Sequence, residues 1–80
     1  MTNSSELCMV IQNDHAHSLF VILEPWAEEF EIAPTEKIKI MFSTSAPRQI
    51  PVHYGPNTVT ITCLEDNATV TVWSGERQLF

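Results

Sequence analysis

Thr58-Val59-Thr60-Ile61-Thr62-Cys63 is the stretch whose reading decides the fold. Val59, Ile61 and Cys63 fall on one side of an extended chain, and the three threonines fall on the other. Side chains alternate across a strand with period two, so the segment reads as a half-buried strand. Its β-branched residues favour the same geometry, because their restricted χ1 suits a pleated surface. Outward along the chain the rhythm recurs. Thr69-Val70-Thr71-Val72-Trp73 places Val70 and Val72 inside and Trp73 on the threonine face. Glu36–Phe42 places Ile38, Ile40 and Phe42 inside. Gln49–Tyr54 places Ile50, Val52 and Tyr54 inside and His53 outside. Pro51 has no N–H to give a ladder, which confines that strand to an edge or a bulge. Phe30 and Ile32 alternate with Glu29 and Glu31 in a short strand. Leu19–Leu23 and Leu7–Ile11 are unbroken apolar runs, and both predict central strands covered on two sides.

Val, Ile and Thr supply 21 of the 80 residues, and no segment sustains the i, i+3, i+4, i+7 apolar pattern of a helix. Turn chemistry separates the strands at Asn13–Ser18, Glu24–Ala27, Pro34-Thr35, Tyr54–Asn57, Glu65–Asn67 and Ser74-Gly75. Ser74-Gly75 and Asp66-Asn67 each have the length of a two-residue hairpin turn. The expected fold is all-β. It is a single domain over residues 1–80, with 1–6 a flexible N-terminus. Seven to eight short, mostly antiparallel strands form a small β-sandwich or partly open barrel without a long helix.

Four Lys+Arg against ten Asp+Glu give a net charge of -6. That balance argues against nucleic acid and anionic membranes, which attract clustered cations. No apolar run approaches the ~20 residues of a spanning helix. The first residues lack the basic and apolar pattern of a secretion leader, so a cytoplasmic location is expected. The charge is also uneven. Residues 1–36 hold seven acids and no Lys or Arg, whereas residues 37–80 hold three acids and four bases. Glu29 or Glu31 opposite Lys37 or Lys39 would stabilise a hairpin about Pro34-Thr35. Alternatively, Glu24–Glu31 forms an acidic patch for a basic partner.

The residues with chemical potential are few. His15-Ala16-His17, with His53 as a distant third, is metal-capable, because alternate strand positions share a face. The spacing to Glu24 does not fit a cupin site, and Cys63 is followed by no His or Met for a blue-copper site. No nucleophile elbow and no Gly-rich phosphate loop is present. A pocket of ~300 Å³ or more would hollow out the core of so small a domain, so the chain is expected not to be an enzyme and to need no cofactor. Cys63 reads as a buried small hydrophobe, with a Cys8–Cys63 bridge as the alternative. Trp26 and Trp73 either cap the ends of the core or anchor an interface, for which exposed tryptophans are well suited.

Leu23-Glu24-Pro25-Trp26-Ala27-Glu28-Glu29-Phe30, followed by Pro34 and Glu36, resembles a segment of small bacterial all-β proteins of unassigned function. In those the pattern runs Leu-Glu-Pro-Trp-Gly-Glu-Glu-aromatic and then Pro-Gly-Glu. Ala27 and Thr35 stand where the pattern has glycine. The resemblance covers about fifteen residues and implies a sandwich with a cupredoxin- or immunoglobulin-like outline. It implies no substrate.

The functional expectation is a non-enzymatic module that binds a protein partner, or self-associates, through an edge strand. Glu24, Trp26, Glu28, Glu29 and Trp73 are the candidate contact residues. The alternative is a small-ligand or metal-binding domain using His15, His17 and His53.

Overall fold

The period-two segments do form strands. The structure, a computed structural model, describes residues 5–44, 49–65 and 67–80. Among these residues there are eight strands: β1 (Ser5–Gln12), β2 (Leu19–Glu24), β3 (Glu28–Ile32), β4 (Lys37–Thr44), β5 (Val52–Tyr54), β6 (Thr58–Thr62), β7 (Thr69–Ser74) and β8 (Arg77–Gln78). They make two four-stranded sheets, in the orders β1-β4-β7-β8 and β3-β2-β6-β5. All pairings are antiparallel except β2 with β6. The result is a sandwich-like fold and not a closed barrel. Among the described residues no helix is long and apolar enough to cross a membrane. β1 begins at Ser5, inside the stretch 1–6 expected to be a flexible terminus, and residues 1–4 lie outside the described residues.

The core is where alternation puts it. Val21, Leu23, Ile38, Ile40, Phe42, Val59, Ile61 and Val72 are buried, each on the inward parity of its strand. Burying each such side chain contributes ~1.5–3 kcal/mol. Cys63 is buried with them, Cys8 lies exposed on β1, and both thiols are free.

Four expectations about pairing are corrected. β3 and β4 belong to different sheets, so Pro34-Thr35 is a corner and Glu29 and Glu31 do not face Lys37 and Lys39 across a hairpin. β6 and β7 also belong to different sheets, so the connection through Asn67 crosses the sandwich, while Asp66 lies outside the described residues. β1 is an edge strand, not a central one: its partner is β4 alone, and Glu6, Cys8, Val10 and Gln12 are exposed. β2 is central as expected, but it alternates between buried and half-buried, because only one of its faces meets the other sheet.

The turns explain themselves locally. The Glu36 N–H donates to the Ala33 carbonyl at 3.1 Å, Pro34 follows at the second position, and Thr35 has φ 69°. That is the pattern of a type II turn, whose third position calls for glycine. Ala27 has φ 58° in the turn between β2 and β3, where the Glu24–Pro25 bond is cis. Ala27 and Thr35 are the two left-handed non-glycine residues of the described chain. The β7–β8 turn sits one residue later than expected, at Gly75-Glu76, with Ser74 facing Arg77. Gly75 (φ 60°) takes its first central position, where a two-residue hairpin turn wants a glycine.

Candidate functional site

Sheet edges carry unpaired backbone groups, so the four edge strands are where a β-sandwich either defends itself or binds. Three of the four are guarded. β3 presents Glu29 and Glu31. β5 is three residues long and follows Pro51. β8 has two residues and then bulges. The Leu79 and Phe80 N–H groups both donate to the Val72 carbonyl, at 2.7 and 3.3 Å, and the Val72 N–H donates to the Phe80 carbonyl at 3.0 Å. Two residues opposite one is a β-bulge, which ends regular pairing. Together these are common devices against edge-to-edge association.

β1 has almost none of this protection. It is eight residues long, lacks Pro and Lys, and carries one charge, Glu6. The Asn13 N–H donates to the Glu36 carbonyl at 2.9 Å, in step with the register that pairs Gln12 with Lys37. Hydrogen-bonded pairs alternate along an antiparallel ladder. Ile11, Met9 and Leu7 therefore bond to β4. The N–H and C=O groups of Glu6, Cys8, Val10 and Gln12 point to the free edge. Among the described residues no strand lies beside them.

Next to this edge the sandwich is open. A groove of about 540 Å³ runs between β1 of one sheet and β5–β6 of the other. Met9, Ile11, Leu19, Val52, Val59 and Ile61 give it an apolar floor. Asp14, His15, Gly55 and Tyr54 stand around its mouth. This corrects the expectation that the domain has no room for a pocket. The space lies between the sheets at their open side, against the edge of the core, and Leu19, Val59 and Ile61 belong to both. Its volume is within the usual range of ligand sites, ~300–1,000 Å³. The groove also explains a wrong placement. Tyr54 faces Val59 in the β5–β6 register and so shares the inner face, as expected, yet it is 81% exposed because only the groove lies beneath it. Val10 on the neighbouring edge is 56% exposed. A cluster of exposed Tyr and Val at a groove mouth is the kind of surface that partners use.

One residue holds the end of this site together. Asn13 is fully buried, which is unusual for its type. Its Nδ2 donates to the carbonyls of His17 (2.8 Å) and Ile32 (2.9 Å), and its Oδ1 accepts the His15 N–H at 2.9 Å. Its backbone carbonyl accepts the Thr35 N–H at 2.9 Å. The end of β1, the histidine bend, the end of β3 and the Pro34-Thr35 corner are thereby tied at one point. The sequence marks Asn13 only as a turn residue. A buried polar side chain becomes visible only once its partners are in place.

The candidate residues named from sequence do not form one surface. Glu24 and Glu29 lie on the outer face of the β3-β2-β6-β5 sheet, whereas Glu28 has the inward parity of Phe30 and Ile32. Trp26 is half-buried over the core end, with its ring 6.1 Å from that of Phe42. Trp73 lies on the outer face of the other sheet, half-buried, and its Nε1 donates to the Thr71 Oγ1 at 3.2 Å. The histidines divide as well. His15 and His17 stack at 5.0 Å between ring centroids, and His15 reaches the groove. His53 points outward from β5 beside Thr60. Among the described residues no three His, Cys, Asp or Glu side chains stand close enough to hold a metal ion.

Compared with models of protein families, with curated protein sequences and with solved structures, the chain gives no match.

Proposed function

We propose that this chain is a non-enzymatic interaction module that takes an extended segment of a protein partner as a fifth strand beside β1. The observation that carries this reading is that, among the described residues, the unguarded edge of β1 lies directly beside the apolar groove. A strand added there pairs its backbone with Glu6, Cys8, Val10 and Gln12. Its alternate side chains then drop into the groove over Met9, Ile11 and Val52. Backbone pairing supplies affinity in this mode, and the alternate side-chain pockets supply selectivity. Tyr54 is the expected anchor at the rim.

The test is a selection of extended heptapeptides from a displayed library, followed by NMR titration of the winning peptide into labelled protein. The expected result is amide shifts confined to β1 and the groove, and loss of binding in Val10→Pro. Proline there removes one outward donor and leaves the β4 ladder intact, as edge strands allow. Shifts elsewhere, or undiminished binding by Val10→Pro, would overturn the reading.

The groove volume favours a second reading, a small apolar ligand with His15 at its mouth. Such a ligand would leave the outward amides of β1 unprotected and lose affinity in Ile11→Asp. Participation of His17 and His53 is checked in the same titration through their ring signals.

A further inference from the structure

The two outer faces of the sandwich carry opposite charge, and the difference is organised in rows. On the β1-β4-β7-β8 sheet, Lys37 and Lys39 stand two residues apart on β4 and are exposed. Val10, Lys39, Trp73 and Gln78 form one row across that sheet. A shallow depression of about 220 Å³ lies among Val10, Lys37, Lys39, Trp73 and Gly75. On the β3-β2-β6-β5 sheet, Glu29 and Glu31 stand two residues apart on β3 and are exposed. Glu31, Phe20 and Thr58 form one row there, and Glu29, Ile22, Thr60 and His53 the next. No Lys or Arg belongs to any strand of this sheet.

The two faces are complementary in spacing as well as sign. Residues two apart on a strand are ~6.6 Å apart, so the pair of lysines and the pair of glutamates have the same separation. Beside each pair, one strand in, lies apolar surface: Trp73 next to Lys39, and Phe20 and Ile22 next to Glu31 and Glu29. We infer that the Lys37–Lys39–Trp73 face docks against the Glu29–Glu31–Phe20 face of a second copy of this chain. The faces lie on opposite sides of the sandwich, so the contact is head-to-tail and continues from copy to copy as an open stack. This surface meets the β1 edge at Val10, but its charged pairs lie off that edge, so charge reversal tests it apart from strand addition.

The association is weak. A four-stranded face about 19 Å wide and about 20 Å long covers ~400 Å², roughly half of what each partner gives to a standard interface. Every copy also carries the net charge of -6, which opposes contact everywhere except between these faces. Salt weakens both effects, so salt dependence alone is a poor test.

A charge swap is a better one. Lys37→Glu with Lys39→Glu makes both faces acidic and takes the chain from -6 to -10. Glu29→Lys with Glu31→Lys makes both faces basic and takes it from -6 to -2. Sedimentation velocity at about 1 mM chain and low salt is expected to show concentration-dependent association of the native protein. It should also show association at least about tenfold weaker in each variant, because like charges then face each other. An equimolar mixture is expected to restore association, although both variants remain net negative. Glu31 also accepts a hydrogen bond from the Ser18 Oγ at 2.8 Å. Glu29→Lys alone, mixed with Lys39→Glu, repeats the test without disturbing that bond. A monomeric native protein at 1 mM overturns the inference, and so does a mixture no more associated than its components. Association that survives both reversals and disappears in Val10→Pro would also overturn it and move self-association to the β1 edge.

Discussion

The two open sides of this sandwich are built differently. Where β3 lies over β8, the gap is closed: Phe30 and Phe80 meet across it with ring centroids 6.3 Å apart. The adjoining edges are acidic or bulged. Where β5 lies over β1, the gap is a groove, its aromatic residue faces solvent, and the adjoining edge is long and regular. One side spends its aromatic residues on stability. The other leaves Tyr54, Val10 and the outward backbone groups of four β1 residues open. In a domain of 80 residues with a small core, an unfilled side costs stability.

That contrast is open to test by mutation, and the largest effect belongs to the residue that anchors the open side. Asn13→Leu removes the donors for the His17 and Ile32 carbonyls and the acceptor for the His15 N–H. Urea denaturation is expected to show a loss of about 2–4 kcal/mol. A loss below about 1 kcal/mol would mean that the clip does not hold the site. Next come the two aromatic residues. Phe80→Ala should cost about 1–2 kcal/mol, because it opens the closed side. Tyr54→Ala should change stability by less than about 0.5 kcal/mol while weakening peptide capture. Equal costs for the two would erase the distinction between the sides. Smaller still is a gain. Thr35→Gly relieves a β-branched residue held at φ 69°, against the greater freedom of glycine in the unfolded chain. A net stabilisation of about 0.5–1 kcal/mol is expected in the same assay. Ala27→Gly at φ 58° should give the same sign with a smaller value.

Much of the fold was legible because alternation is local. Val59, Ile61 and Cys63 announce their face within six residues, and Ile38, Ile40, Phe42 and Val72 do the same. Pairing is not local. Nothing in Glu29–Lys39 distinguishes a hairpin from a corner that passes between sheets, so the expected Glu–Lys pairs were misplaced. The apolar run Leu7–Ile11 suits burial on both faces, yet Cys8 and Val10 lie on the exposed face of an edge strand. The site was less legible than the fold. The Glu and Trp residues that stand out in sequence are divided between a core cap and two opposite outer faces. Tyr54 and Asn13 acquire their roles only from what lies across from them: an open groove in one case, the histidine bend and the Ile32–Thr35 stretch in the other. The C-terminal strand closes itself with a bulge, and the available edge is at the other end of the sheet.

The claim that β1 is a free, regular edge is tested most directly by amide hydrogen exchange, residue by residue, on dilute protein. The expected result is a period-two pattern along the strand. Leu7, Met9 and Ile11 should exchange slowly, and Glu6, Cys8, Val10 and Gln12 fast. On adding the selected peptide, the fast set alone should become protected. Uniform slow exchange along β1 in the free protein would mean that the edge is already covered, and uniform fast exchange would mean that β1 does not pair with β4. Either result would contradict the account.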